Sequence, residues 1–167
     1  MLILYTGNGK GKTSACVGQA LRAAGHGMTV AFGQFLKRDN QSSEQRVLKQ
    51  LLGRLFLAGG ESFFRDEKDR PTHRNAALNV LLWAEHILPE VDMLILDETL
   101  YALDAALIER EEIENMVDAS TARGRHLVLS GRNAPDWLVR SADIVTEMVE
   151  VKHAWRNGVK AAPGIEY

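Results

Sequence analysis

Short apolar runs alternate with longer stretches of helical periodicity along the chain. Runs of this length, rich in aliphatic residues and bounded by turn residues, are typical of buried strands. The predicted strands are residues 2–5, 29–35, 93–97, 126–130 and 144–150. The predicted helices are residues 12–24, 44–57, 72–88, 111–122 and 135–140. This alternation predicts a single α/β domain over residues 1–167, with a mostly parallel central sheet and helices on both faces.

The second predicted helix carries one apolar stripe, formed by Val47, Leu48, Leu51, Leu52 and Leu55. Residues at this spacing lie on one face of a helix, so we expect the stripe to face the core. Residues 58–72 follow, with two glycines, two phenylalanines and a charged run. They predict a long loop near the edge of the sheet where ligands bind.

A glycine-rich turn with the sequence YTGNGKGKT, residues 5–13, connects the first strand to the first helix. This context predicts a phosphate-binding loop, because the turn's N–H groups and the helix N-terminus attract an anion. Lys12 is expected to reach the terminal phosphates of a nucleoside triphosphate, and the Thr13 hydroxyl to ligate Mg²⁺. The pattern G-x-x-x-x-G-K-[ST] is broken at Thr6, and the two glycines after it are expected to supply the flexibility. An ordinary strand-to-helix turn with exposed lysines is the alternative.

A second motif supports the first, since the apolar run of residues 93–96 ends in Asp97 and Glu98. Such a run is typical of a buried parallel strand. Open α/β sheets bind ligands at the carboxyl ends of their strands, so Asp97 is placed to hold magnesium, directly or through water. The alternative is a strand end with two solvated acids.

Composition and charge narrow the class of protein. The 167 residues are 46% hydrophobic and 25% charged, with a net charge of −2, so we expect no general attraction to nucleic acid or to an anionic membrane. The single cysteine, Cys16, excludes an intrachain disulfide framework. No apolar run approaches the length of a membrane span and no signal peptide is visible, so we expect a cytoplasmic protein.

Eight segments occur in a characteristic order: TGNGKGKT (6–13), LRAAGHG (21–27), QFLK (34–37), LDE (96–98), SGRNAP (130–135), ADIVTEM (142–148), VKHAW (151–155) and GIEY (164–167). Taken together they resemble the ATP:corrinoid adenosyltransferases of the CobA type, from about residue 3 to the C-terminus. The family often has a threonine where this chain has Ser130.

The resemblance implies a transferase that moves the 5′-deoxyadenosyl group of ATP to the Co(I) ion of a reduced corrinoid and releases triphosphate. The reaction would serve adenosylcobalamin biosynthesis or salvage, with Mg²⁺ accompanying ATP and the corrinoid as second substrate. The resemblance further implies a three-layer P-loop NTPase fold of the RecA-like type, a homodimer and a flavoprotein-type electron donor. Because Co(I) is itself the nucleophile, no general base is needed and the protein mainly positions the partners.

The same resemblance assigns a nucleotide-binding set: Asn8, Gly9, Lys10, Gly11, Lys12, Thr13 and Ser14. Lys12, Thr13 and Glu98 are the expected catalytic residues, with Glu98 directed to a substrate hydroxyl or to the water shell of the metal. Thr13 and Asp97 are the expected metal ligands.

Four more residues are carried over from the family, each with a structural alternative. Arg22 is expected near the nucleotide and Arg132 against phosphate or corrin side chains; a solvated helix face and a salt bridge are the respective alternatives. Phe63 and Phe64 are expected to displace the lower axial ligand of the corrinoid, or else to anchor their loop. Some family members have an N-terminal cap over the site, so we expect the partner subunit or the tail after Lys152 to serve here.

Two other functions stay open from the residues alone. A small-metabolite P-loop kinase would release ADP and would use lid arginines, for which Arg65 and Arg70 are candidates. A nucleotide-dependent corrinoid carrier would bind without turnover. A RecA-like nucleic-acid motor is disfavoured by the balanced charge.

Overall fold

The computed structural model describes residues 1–62 and 64–166. One sheet of six strands forms its centre, and all of the strand pairs are parallel. The strands are β1 Leu2–Thr6, β2 Val30–Gln34, β3 Phe56–Ala58, β4 Met93–Asp97, β5 His126–Ser130 and β6 Ile144–Glu147. Their order across the sheet is β3-β2-β4-β5-β1-β6.

Helices cover both faces of the sheet. They are α1 Lys12–Gly25, α2 Ser43–Leu52, α3 Arg70–Ile87, α4 Thr99–Asp104, α5 Arg110–Ala122 and α6 Asp136–Ser141. Short 3₁₀ helices lie at Gly53–Leu55, Glu67–Asp69, Leu88–Glu90 and Ala154–Asn157. Side chains alternate between the two faces of a strand, so Leu94 and Leu96 of β4 pack against α3 and α5 while Ile95 packs against α1. The predicted three-layer α/β fold is confirmed.

The strand order determines which strand ends meet. Strand β5 lies between β1, which leads into the glycine-rich turn, and β4, which ends at Asp97. Because all strands run in the same direction, the carboxyl ends of β1, β2, β4 and β5 lie at one edge. This arrangement matches the P-loop NTPase fold of the RecA-like type that was expected.

The predicted helix 44–57 is wrong in its second half. Helix α2 stops at Leu52, because Gly53 adopts a positive φ of 55°, and the chain turns into β3, which pairs Phe56 with Phe32 of β2. The predicted core stripe is therefore only partly buried. Leu48 is 1% exposed, whereas Val47 and Leu51 are 48% and 44% exposed.

Smaller differences concern the edges of elements. Strand β6 ends at Glu147 rather than at residue 150, and α4 follows β4 where no helix was predicted. The expected loop 58–72 is shortened by the 3₁₀ helix Glu67–Asp69 and by α3, which begins at Arg70. Within residues 1–62 and 64–166, no helix is long and apolar enough to span a membrane. The single-domain organisation stays a prediction.

Candidate functional site

The glycine-rich turn is held against the chain that follows β6. The N–H of Gly9 donates to the Met148 carbonyl (2.6 Å), and the Met148 N–H donates to the Thr6 carbonyl (2.8 Å). A Cβ atom on Gly9 would lie only 2.7 Å from the Met148 oxygen, and one on Gly7, whose φ is +94°, would also meet Met148. These glycines are needed for close packing as well as for curvature.

Thr6 explains the departure from the usual loop pattern. It is the last residue of β1, it is buried, and its hydroxyl accepts a hydrogen bond from the N–H of Ala134 (3.2 Å). The position of the missing glycine therefore belongs to the sheet, and the turn itself begins at Gly7.

Lys12 lies inside the turn. Its ammonium donates to the carbonyl oxygens of Gly7 (2.7 Å) and Gly9 (2.8 Å), and the residue is only 8% exposed. Burial lowers the pKa of Lys12 from its ordinary value. A positive charge is thus held at the centre of a curled backbone and at the N-terminus of α1, which favours a polyphosphate.

Asp97 connects the ends of three strands and the start of α1. The Ser130 hydroxyl donates to Asp97 Oδ1 (2.6 Å), and the Gln34 amide donates to Oδ2 (3.1 Å). The Thr13 hydroxyl donates to Oδ2 at 3.1 Å. Asp97 is fully buried, and these donors replace the hydrogen bonds that water would make to its oxygens.

Lys37 is the cation beside Asp97. Its ammonium lies 3.1 Å from Asp97 Oδ2, 3.0 Å from Glu44 Oε1 and 3.2 Å from Thr13 Oγ1. Burial alone would lower the pKa of Lys37, but Asp97 and Glu44 together raise it to about 12. The side chain therefore remains protonated in this buried place.

Glu98 adopts a left-handed backbone conformation, with φ 62° and ψ 17°, at the start of α4. Such a conformation is uncommon for glutamate and often marks a functional site. Burial, followed by the neighbouring Asp97 carboxylate, raises the pKa of Glu98 to about 7. This carboxyl group can exchange a proton near neutral pH.

A cavity of about 700 Å³ opens above these residues. All seven residues predicted to bind the triphosphate line it, from Asn8 to Ser14, together with Lys37, Glu98 and Arg132. The C-terminal tail forms another part of its wall, where Lys10 donates to the Ile165 carbonyl. Several tail residues line the cavity: Glu150, His153, Trp155, Gly164, Ile165 and Glu166.

Among the described residues, Arg22, Phe64 and Asp97 were predicted to belong to the site but do not line this cavity, and Asp97 is fully buried. Arg22 is exposed in the last turn of α1, at the opposite end of the helix from Thr13. Phe64 packs against the core, edge-on to His73 (5.5 Å between ring centroids), and the Arg70 guanidinium covers its ring at 4.7 Å. Phe63 lies outside the described residues. The roles predicted for Arg22, Phe63 and Phe64 stay predictions.

Sequence reasoning assigned no role to Gln34, Lys37 and Ser130, which donate to Asp97, or to Glu44, which accepts from Gln34 and Lys37. Lys37 and Gln34 belong to the QFLK segment at the end of β2, and that position at the carboxyl end of a strand was the available signal. Glu44 had no such signal, since it lies in the first turn of α2.

The whole chain, residues 1–167, matches the family model described as ATP:corrinoid adenosyltransferase BtuR/CobO/CobP. It is 35% identical to the corrinoid adenosyltransferase of Pseudomonas aeruginosa and to the corrinoid adenosyltransferase CobA of Salmonella typhimurium. It is 34% identical to the corrinoid adenosyltransferase of Escherichia coli K12. Each match covers 100% of this chain and 83%, 85% and 85% of the respective relative.

Similarity to solved structures is distant. A DNA replication initiation factor and DnaA from Aquifex aeolicus bound to AMPPCP give TM-scores of 0.48 and 0.44, with 14% and 16% identity. Each of the two matches covers 88% of this chain and 39% of the solved structure's chain. At this distance the similarity carries no information on function.

Proposed function

The chain belongs to the ATP:corrinoid adenosyltransferase family BtuR/CobO/CobP, and we propose that the cavity beside its glycine-rich turn is where the transfer takes place. The observation that carries this proposal is the convergence of Lys12, Thr13 and Asp97 at one edge of the sheet. An ammonium inside a curled backbone and a hydroxyl bonded to a buried carboxylate are the parts that a magnesium–triphosphate site needs.

Lys12 and the N–H groups of the turn hold the triphosphate of ATP in this proposal. The two hydrogen bonds of the Lys12 ammonium go to carbonyl oxygens of neutral peptides, and a phosphate oxygen would be a stronger partner. As the C5′–O bond breaks, negative charge grows on the departing triphosphate. A positive charge fixed in advance stabilises that charge without any rearrangement of the site.

Thr13 and Asp97 are the proposed magnesium ligands, and their surroundings fit such an ion. One cation, the Lys37 ammonium, already lies among oxygen atoms of Thr13, Asp97 and Glu44 and contacts all three residues. Mg²⁺ is usually held by one or two protein oxygens plus substrate phosphates, and bound here it would neutralise charge on the triphosphate. In the part of the chain that the structure describes, no group of three or more His, Cys, Asp or Glu side chains forms a metal site.

The transfer itself forms a Co–C bond and breaks the C5′–O bond of ATP. The electron pair of Co(I) enters the new bond, and the pair of the broken bond leaves with triphosphate. No proton has to move at the reacting carbon, so the task of the protein is to orient the two substrates and to exclude water. Glu98 lines the cavity, and in this proposal its carboxylate accepts a hydrogen bond from a hydroxyl of the nucleotide.

The corrinoid is proposed to enter on the side of the cavity formed by Arg132 and the C-terminal tail. Trp155 and Ile165 line this side and are 60% and 63% exposed, so they offer apolar surface to a macrocycle. The contacts of Phe64 with His73 and Arg70 support the alternative that it anchors its loop. Homodimer formation, a flavoprotein-type electron donor and a cytoplasmic location remain proposals drawn from the family resemblance and the sequence.

The two competing functions are not favoured. The family and its named relatives support the adenosyltransferase over a kinase or a carrier. Arg70, a candidate for a kinase lid, donates to Glu67 and to the carbonyl oxygens of Ala105 and Ala106.

The roles of the turn residues can be tested by transfer from ATP to Co(I) cobalamin under anaerobic conditions. We expect Lys12→Ala to lower kcat/KM by roughly 10²–10³, as for the loss of other charge-stabilising groups in a transition state. Lys68→Ala is the control, because Lys68 is exposed and forms a surface ion pair with Asp66. Wild-type kcat/KM in Lys12→Ala would exclude the proposed phosphate site.

A further inference from the structure

The ammonium of Lys37 lies among the same oxygen atoms that the proposed function assigns to magnesium. It donates to Asp97 Oδ2 (3.1 Å) and to Thr13 Oγ1 (3.2 Å), the two atoms expected to face the metal. Glu44 Oε1, at 3.0 Å, is its third partner. An ammonium and a metal ion carry like charge, and each needs the lone pairs of the same oxygen atoms. The two cations therefore cannot occupy this position together.

The backbone before Lys37 is built to hold the side chain there. The Lys37 N–H donates to the Phe35 carbonyl (2.7 Å), which closes a three-residue turn around Leu36. Leu36 has a φ of 62°, an unfavourable conformation for a bulky residue, and is only 5% exposed. Gly60 packs directly on this turn, and its N–H donates to the Lys37 carbonyl (3.0 Å).

Charge explains why a cation is needed at this point. Asp97 is fully buried and the side chain of Glu44 is 20% exposed, so both carboxylates are poorly hydrated. With Lys37 between them, one positive charge offsets part of their repulsion. Removing the ammonium would leave two carboxylates and the Thr13 hydroxyl around one point, which is an attractive set for a divalent ion.

We propose that Lys37 is a resident cation that excludes free divalent metal ions from Asp97 and Thr13. Asp97 and Thr13 would hold a metal ion only when a nucleotide is bound as well, and the Lys37 ammonium would then move away from both residues. Lys37 is thus a positioning residue that makes the site accept the metal–nucleotide complex as one unit. This inference rests on the metal position given in the proposed function.

The test is a titration of the nucleotide-free protein with Mn²⁺, followed by electron paramagnetic resonance of the free ion. Wild-type protein should bind Mn²⁺ weakly, and Lys37→Met should bind it roughly tenfold more tightly or better, since a like charge has been removed from the site. Lys49→Met is the matched control, because Lys49, on α2, forms its ion pair with Asp39 in the loop before that helix, and this variant should behave as wild type. Lys37→Gln, which can still donate a hydrogen bond, is the second variant should Lys37→Met not fold.

A thermal readout accompanies the titration. Mn²⁺ without nucleotide should raise the Tm of Lys37→Gln or Lys37→Met and leave that of wild type unchanged. Equal Mn²⁺ affinity in the wild type and in both Lys37 variants would overturn the inference.

The metal position is checked separately by the affinity of Asp97→Asn for MnATP. If Asp97→Asn binds MnATP more weakly but the Lys37 variants bind Mn²⁺ as wild type does, only the role of Lys37 is overturned. If Asp97→Asn binds MnATP as wild type does, the metal position and the role of Lys37 are both overturned.

Discussion

The contact between Gly9 and the chain after β6 gives the sharpest prediction for stability. A Cβ atom added at Gly9 would lie 2.7 Å from the Met148 oxygen and 2.8 Å from the Val149 carbonyl carbon. Both are backbone atoms, so they cannot move away as the end of a flexible side chain could. Gly9→Ala must therefore separate the turn from residues 148 and 149.

The expected cost has two parts. Overpacking of a well-packed region typically costs about 1–3 kcal/mol. The hydrogen bond from Gly9 to Met148 (2.6 Å) would be lost or stretched, which adds about 0.5–1.5 kcal/mol. We expect Gly9→Ala to lower the free energy of unfolding by about 1.5–4.5 kcal/mol in total.

Urea unfolding followed by circular dichroism measures this change, and Gly18→Ala is its control. Gly18 lies inside α1 with no atom within 4 Å of an added Cβ. Alanine there should stabilise the protein by about 0.5–1 kcal/mol, because glycine weakens a helix interior. The same substitution is thus expected to have opposite signs at the two sites. Equal stability of Gly9→Ala and wild type would refute the close packing of the turn.

Three further outcomes follow from the site. Glu98→Gln removes a carboxyl whose pKa is raised from 4.5 to about 7. Between these two pH values the folded wild type keeps this carboxyl protonated while the unfolded chain loses the proton, so the wild type loses stability as the pH rises. In urea unfolding, Glu98→Gln should gain about 3 kcal/mol relative to wild type between pH 4.5 and pH 8, and a constant difference would contradict this. Ser130→Ala should cost about 1.5–3 kcal/mol and weaken MgATP binding in calorimetry, because Asp97 loses its shortest hydrogen bond (2.6 Å); unchanged values would count against it. Gly131→Ala should lower the Tm, because its φ is +143° and its Cβ would lie 2.7 Å from the Tyr101 nitrogen; a wild-type Tm would disagree.

The four central strands, β1, β2, β4 and β5, could be predicted because they are buried and appear as continuous apolar runs, whereas the edge strand β6 is exposed along its whole length. Strand β3 escaped prediction because it has three residues and follows a helix whose apolar spacing continues past its end. Only Gly53 marked that end, and its positive φ is a property of the folded backbone.

The site was predictable where its residues are contiguous. Residues 8–14 line the cavity together because one turn carries them, and Asp97 follows from the end of a single apolar run. The shell around Asp97 combines β2, α2 and β5, which meet only through the strand order of the sheet. Local patterns do not show which elements meet, so Glu44 could not be assigned a role, and for Lys37 the only signal was its place just after the carboxyl end of β2.

The central claim is that the C5′–O bond of ATP breaks and that a Co–C bond forms. The most direct measurement mixes the protein with MgATP and chemically reduced Co(I) cobalamin under anaerobic conditions, and follows the phosphorus products by nuclear magnetic resonance and the corrinoid by its visible spectrum. The account predicts inorganic triphosphate and a light-sensitive alkylcobalamin in equal amounts, with the formation of both strongly slowed in Lys12→Ala. Formation of ADP without a cobalt–carbon product, or corrinoid binding without any turnover, would contradict it.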